Sequence, residues 1–199
     1  MQTNNPKYIL VHCSDIDSKL VADQFTGVNR THRDERNFNT SSLGFNVGYH
    51  VFVTGGVAYR ARVDTEYGNH CNNLVDGLSM NFQSLGICFG IDGDIELPSQ
   101  GMVNLARAQI LEWQRLYNIP NERVLFHRDF SKTKSCPGSL ISRGWLEENI
   151  LEMPKPPVVE VKEEIKEEVK EEVKEKITDK KSLWTKILNV IKLLLCIKQ

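Results

Sequence analysis

Residues 84–91, SLGICFGI, and residues 99–117, SQGMVNLARAQILEWQRLY, place two different hydrophobic periods in one stretch of chain. The first is a short apolar run with the length of a buried strand rather than a helix. The second carries apolar residues at 103, 105, 106, 110, 111, 113 and 116, a stripe that suits a helix packed on a sheet. Upstream, YILVH (8–12) and VGYHVFVT (47–54) are further strand signals, and Gly55-Gly56 reads as a hairpin turn into VAYRARV (57–63). Leu20–Glu35 and Leu140–Leu151 carry shorter helical patterns. Strands interspersed with helices point to an α/β domain over residues 1–152.

The totals agree with one domain plus an appendage, since 199 residues exceed what a single ordinary core of this kind needs. A formal net charge of −1 gives no electrostatic footprint for a polyanion, so no nucleic-acid partner is expected. The cysteines at 13, 71, 88, 136 and 196 are odd in number and contain no CxxC pair, which argues against a disulfide framework or a zinc ribbon. MQTNNPKYILVHCS lacks a basic stretch followed by a long apolar one, so synthesis in a reducing cytoplasm without a signal peptide is expected.

Composition changes after residue 152. MPKPPVVE (153–160) is a proline-rich linker that cannot continue a helix. Residues 161–181 contain VKEEIKEEVKEEVKEKI, whose apolar residues recur every four positions. Such a line advances about 400° per step and drifts about 40° each time, too fast to hold one face against a core. The Glu163–Lys166, Glu167–Lys170 and Glu171–Lys174 pairs suit a solvated helical spacer. Residues 182–199, SLWTKILNVIKLLLCIKQ, read as an amphipathic helix with Lys186, Asn189 and Lys192 opposite a broad apolar arc. Its unbroken apolar run is too short to span a bilayer. Membrane-surface contact, at the inner membrane, and self-association both remain open for this segment.

The chemistry concentrates in FHRDFSKTKSCPG (126–138), where His127 and Cys136 flank two lysines. Catalytic zinc takes three protein ligands and leaves a fourth position for water or substrate. His127 and Cys136 would supply two; taken alone, the pair reads more readily as two unrelated polar residues. His12 ends the run YILV where a strand would present it. Adjacent strand side chains point to opposite faces, so only one of His12 and Cys13 can enter a given site, and only one of Tyr49 and His50.

VHCS, GYH, Gly68-Asn69-His70, the N-x-x-S-L-G segment from Asn81 to Gly86, and H-(x)8-C with K-x-C-P follow one another in that order. Together they resemble, over residues 7–150, the zinc-dependent N-acetylmuramoyl-L-alanine amidases shared by phage endolysins and peptidoglycan recognition proteins. The resemblance implies a single α/β domain with a mixed central β-sheet flanked by helices, followed here by a C-terminal helical tail. It implies Zn2+ held by His12, His127 and Cys136, and catalysis by Tyr49 and Lys134. It also implies substrate-binding positions at His70 and Asn81, the latter holding a loop. Pro137-Gly138 would fix the turn that aims the thiolate. The substrate implied is peptidoglycan or a muropeptide, cut at the amide joining N-acetylmuramic acid to L-alanine. A phage or prophage endolysin that reaches the cell wall after release fits best. A cytoplasmic muropeptide-recycling amidase and a non-catalytic peptidoglycan-binding module are the alternatives. Two features depart from the family pattern: a longer loop from Asn72 to Met80, and Asn37-Phe38 where a tryptophan usually ends the first helix. His32 receives no role, and Cys13, Cys71 and Cys88 are expected to be packing residues.

Overall fold

The computed structural model describes residues 3–19, 23–131 and 133–152. The linker, spacer and amphipathic helix expected over 153–160, 161–181 and 182–199 lie outside the described residues. In chain order the elements are β1 (Tyr8–Cys13), α1 (Gln24–Asp34), β2 (Val51–Thr54), β3 (Val57–Arg60), β4 (Leu74–Val75), β5 (Leu78–Ser79), β6 (Ser84–Phe89), α2 (Gln100–Tyr117), β7 (Val124–Phe126) and α3 (Arg143–Leu146). The last continues as a π-helical turn over Glu147–Leu151. No helix among the described residues is long and apolar enough to cross a membrane.

Five strands form one sheet in the order β3-β2-β6-β1-β7. β1 runs parallel to both β6 and β7, β2 runs parallel to β6, and β3 alone pairs antiparallel, with β2. The sheet is therefore mixed, as expected. Gly55 and Gly56 both take positive φ (55° and 80°), the conformation that lets a two-residue turn follow the twist of the flanking strands.

Alternation along β1 assigns each residue a layer. Ile9, Val11 and Cys13 face the larger core with Leu85, Ile87 and Phe89 of β6. Met102, Val103, Ala106, Ile110 and Trp113 of α2 close that core, together with Leu146 and Ile150. Each such large apolar side chain contributes roughly 1.5–3 kcal/mol by leaving water. α2 begins where the Ser99 hydroxyl accepts the Met102 N–H and ends at Asn118 in the left-handed conformation. On the opposite face Phe25 and Val28 of α1 pack on Phe52 and Val47. His12 shares this second face with Leu10, and it is there that polar groups gather.

Several boundaries differ from the sequence reading. The strand expected over 47–54 begins only at Val51. Side chains occupy the backbone groups that a ladder would use: the Gly48 N–H donates to His32 Nδ1 at 3.1 Å, and the Val47 carbonyl accepts from Arg62 Nε at 2.7 Å. β3 stops at Arg60 rather than Val63, because Arg62 turns inward. The helix expected from Leu140 starts at Arg143, where the Ser142 hydroxyl caps the Trp145 N–H. The long Asn72–Met80 loop contains the β4–β5 hairpin, turning at Asp76 and Gly77 with positive φ. Neither that hairpin nor the three-residue β7 is long enough to show a period.

Candidate active site

β1, an inner strand between β6 and β7, delivers His12 to the second face fully buried. β7 hands the chain to the short turn carrying His127, and the loop that follows returns Cys136 to the same place. Ligand atoms of His12, His127 and Cys136 all lie within 4.8 Å of one another. His12 Nδ1 and Cys136 Sγ are 3.6 Å apart. Donors at roughly 2.1–2.3 Å around a tetrahedral zinc would sit roughly 3.6 Å from each other, so this pair already has the spacing that the ion requires. The donor set fits as well, being two imidazoles and one thiol on a largely buried floor.

Burial holds His12 well below its ordinary pKa, reinforced by His70, His127 and Lys134 nearby. His127 is lowered by burial and then by Lys134. Both rings are therefore neutral, which is the ligating form. Contact with the Cys13 side chain, and then burial, push the Cys136 thiol up. A divalent metal held beside His12 and His127 would stabilise the thiolate there. The Cys13 N–H donates to Cys136 Sγ at 3.4 Å and fixes its position.

His12 is held from behind. Its Nε2 lies 3.1 Å from His70 Nδ1, leaving Nδ1 to face Cys136. A metal held on Nδ1 would leave the proton on Nε2 to be donated to His70, an arrangement that orients a ligating imidazole. His70 is buried against β6, where a Cβ on Gly86 would come within 2.8 Å of its ring. Asn81 Oδ1 accepts the N–H groups of both His70 and Cys71 at 2.8 Å, and its amide donates to Asn72. The N-x-x-S-L-G segment thus has a physical content: Asn81 holds the turn that carries His70, and Gly86 leaves room for the ring. His70 also lines a smaller cavity with Asn69, Asn72, His127 and Lys134.

The parity expected at Tyr49-His50 is observed. Tyr49 stands over His12 with ring centroids 5.0 Å apart. His50 points inward, accepting the Gly86 N–H at Nδ1 (3.0 Å) and donating from Nε2 to the Glu66 carbonyl (2.9 Å). Burial, then the neighbouring cysteines, raise the Tyr49 phenol well above its usual value and keep it protonated. Arg62, fully buried, donates to the carbonyls of Val47, Asn39 and Tyr67 and ties together the loops on either side of Tyr49. Nothing in the sequence marks Arg62 for this work, because its partners are scattered along the chain.

Tyr49, His127, Lys134 and Cys136 line a cavity of about 560 Å³. One wall is the end of β1 and the 133–136 loop; the other is α1, contributing Val28, Thr31 and His32, with Arg36 just past the end of that helix. Opposite Gly93, Gly138 takes a positive φ of 105°, and each glycine leaves no space for a Cβ on the other. This contact seats the turn after Cys136, as the Pro137-Gly138 pair suggested.

Three buried imidazoles and a half-buried one set a pH limit on the fold. His50 and His32 are each lowered from 6.5 to about 4, with burial the largest cause, and His12 and His70 are lowered further in the same direction. The unfolded chain takes up these protons below about pH 6.5 while the folded chain does not, so stability is lost as pH falls through that value. For His50 alone the shift corresponds to about 3 kcal/mol. The melting temperature of metal-stripped protein should therefore drop steadily between about pH 7 and 5; a flat profile would contradict the neutral buried histidines.

A family model described as N-acetylmuramoyl-L-alanine amidase matches residues 2–139. Among solved structures the chain is similar to the N-acetylmuramoyl-L-alanine amidase LysC from Clostridium intestinale URNW, at 21% identity and a TM-score of 0.57 over 72% of this chain and 84% of that one. PlyL is similar at 25% identity and a TM-score of 0.54, over 75% of this chain and 84% of that one. A Drosophila PGRP-LB variant solved in complex with tracheal cytotoxin is similar at 22% identity and a TM-score of 0.54, over 70% and 79% of the two chains. No curated protein matches the chain. The distant structures share the fold, and the family model spans both halves of the site, from β1 through the cysteine loop: the chain belongs to the N-acetylmuramoyl-L-alanine amidase family.

Proposed function

We propose that this protein is a zinc-dependent hydrolase that cleaves the amide between the lactyl group of N-acetylmuramic acid and L-alanine in peptidoglycan. The observation that carries the reading is the convergence of donor atoms of His12, His127 and Cys136 within 4.8 Å, the last two on residues lining the cavity that Tyr49 and Lys134 also line. Bound zinc supplies Lewis-acid polarisation and a water acidified toward neutral pH. The chain's own residues do the rest. Lys134, close enough to depress both His12 and His127, offers its ammonium to the oxyanion that develops on the attacked carbonyl. Tyr49, held as a neutral phenol beside His12, orients the water and passes a proton toward the departing nitrogen. The water oxygen ends in the lactyl carboxylate, and the nitrogen leaves as the free amino group of alanine. His70 and Asn81 act on substrate from behind, by holding His12 and the cavity wall.

Similarity to an amidase from Clostridium and to a protein solved with a peptidoglycan fragment supports this substrate class. A phage or prophage endolysin is the biological setting we favour, with intact cell wall as the substrate. Digestion of purified sacculi should expose new N-terminal alanine and no new reducing sugar ends. Binding to sacculi with no new alanine termini would instead establish a binding module.

A further inference from the structure

Cys13 sits beside a candidate ligand without being one. It packs in the larger core, as expected of it, yet it also lines the cavity next to Cys136. Cys136 reaches the end of β1, with Sγ 3.4 Å from the Cys13 nitrogen and 3.9 Å from the Cys13 carbonyl oxygen. The two thiols touch one another. A disulfide needs Cβ atoms about 3.8 Å apart, and a sulfur seated against its partner's backbone needs only side-chain torsions to change. Backbone bonds hold both residues in this relation. Cys13 is in register with Phe89 of β6, and the Cys136 carbonyl accepts the Arg128 N–H at 2.9 Å. The other described cysteines are engaged elsewhere: Cys71 Sγ lies 3.6 Å from Asn73 Oδ1, and the wholly buried Cys88 donates to the Phe89 carbonyl at 3.5 Å.

We propose that Cys13 and Cys136 form a redox pair, oxidised by a peroxide to a disulfide that withdraws Cys136 from the metal site and is reopened by a thiol. Cys136, the more exposed of the two, is the sulfur that meets the oxidant. It attacks one peroxide oxygen, the O–O bond breaks, and water leaves as Cys136 becomes a sulfenic acid. The Cys13 sulfur then attacks Cys136 Sγ, the S–O bond breaks, and the oxygen departs as a second water with the Cys13 proton. The two sulfurs have given up two electrons and two protons, and both peroxide oxygens end as water. A disulfide sulfur offers zinc no anion, so two imidazoles remain where three donors converge. The pairing rests on the contact of the two cysteines; its effect on the metal rests on reading His12, His127 and Cys136 as zinc ligands.

The test uses the full chain, reduced and stripped of metal, exposed to a small molar excess of hydrogen peroxide. Thiol titration should show two thiols lost, and peptide mass mapping should find Cys13 linked to Cys136. Zinc affinity should fall by about a hundredfold or more, since a ligand is gone. Dithiothreitol should restore the thiols and zinc binding together. Protein loaded with zinc beforehand should lose its thiols about tenfold more slowly, because the metal occupies the sulfur that the oxidant needs. Cys13→Ala should bind zinc much as the unsubstituted protein does before oxidation. After oxidation it should hold no link, and its Cys136 should pass on to a sulfinic acid that dithiothreitol does not reverse. Cys136 accumulating as sulfenic or sulfinic acid in the unsubstituted protein would overturn the pair, as would links that run through Cys71, Cys88 or Cys196 instead. A link between Cys13 and Cys136 that leaves zinc affinity unchanged would overturn the closing of the site and remove Cys136 from the metal. A protein that binds zinc and forms the reversible link, yet releases no alanine termini from sacculi, would lose the amidase reading and keep the redox pair.

Discussion

Cys136→Ser should lose zinc and hydrolysis together. A serine hydroxyl is neutral and hard where the site offers a soft anion, and the two remaining imidazoles cannot replace its charge. Zinc bound by a full protein ligand set is held by roughly 10–16 kcal/mol, so one ligand accounts for roughly 3 kcal/mol or more, about a hundredfold in affinity. The fold should tolerate the change. Cys136 is only partly buried at the edge of the larger core, and the turn behind it is held independently by the Arg128 guanidinium, which donates to the carbonyls of Ser135, Gly138 and Ile141. Metal analysis and turnover on one preparation check the result. Full zinc occupancy with ordinary turnover would remove Cys136 from the metal.

Tyr49→Phe and Lys134→Ala should separate chemistry from metal binding. Neither residue is among the clustered ligands, so zinc content should be unchanged in both. A proton-transfer group contributes about 10²–10⁴ in rate, and an oxyanion stabiliser about 10²–10³, so each variant should slow by about a hundredfold or more. Phenylalanine retains the ring that packs on His12 and Phe52, which makes the hydroxyl the only loss. Removing Lys134 also relieves its effect on His12 and His127, and the tighter hold on protons should weaken zinc binding in acid before it does so at neutral pH. Ordinary turnover in Lys134→Ala would end its role at the oxyanion.

The sequence and the structure agree where local physics sets the outcome. The stripe of α2, the apolar runs of β1 and β6 and the Gly55-Gly56 turn are encoded by neighbours in the chain, and each was readable from a short window. The strand drawn through Val47–His50 was too long because its hydrogen bonds are claimed by His32 and Arg62, residues that no local window connects to it. The candidate ligand positions were legible as an ordered series of motifs, and Tyr49 and His50 point to different sides as the parity rule expected, whereas Cys13 also lines the cavity and touches Cys136. What could not be read was support at a distance. The contact of His70 with His12 joins a loop to a strand 58 positions away, and its room depends on the absence of a side chain at Gly86. Arg62 and His32 look in sequence like any surface charge and any helix imidazole. Only the fold shows that one ties three carbonyls and the other accepts the Gly48 N–H beside the cavity.

The most direct test of the central claim is a zinc titration of metal-stripped protein with the release of N-terminal alanine from purified sacculi followed in the same samples. Activity should rise in proportion to zinc and level off at about one ion per chain, as a single three-ligand site demands. Release of alanine termini at full rate by the zinc-free protein, or saturation with zinc and no release, would contradict it.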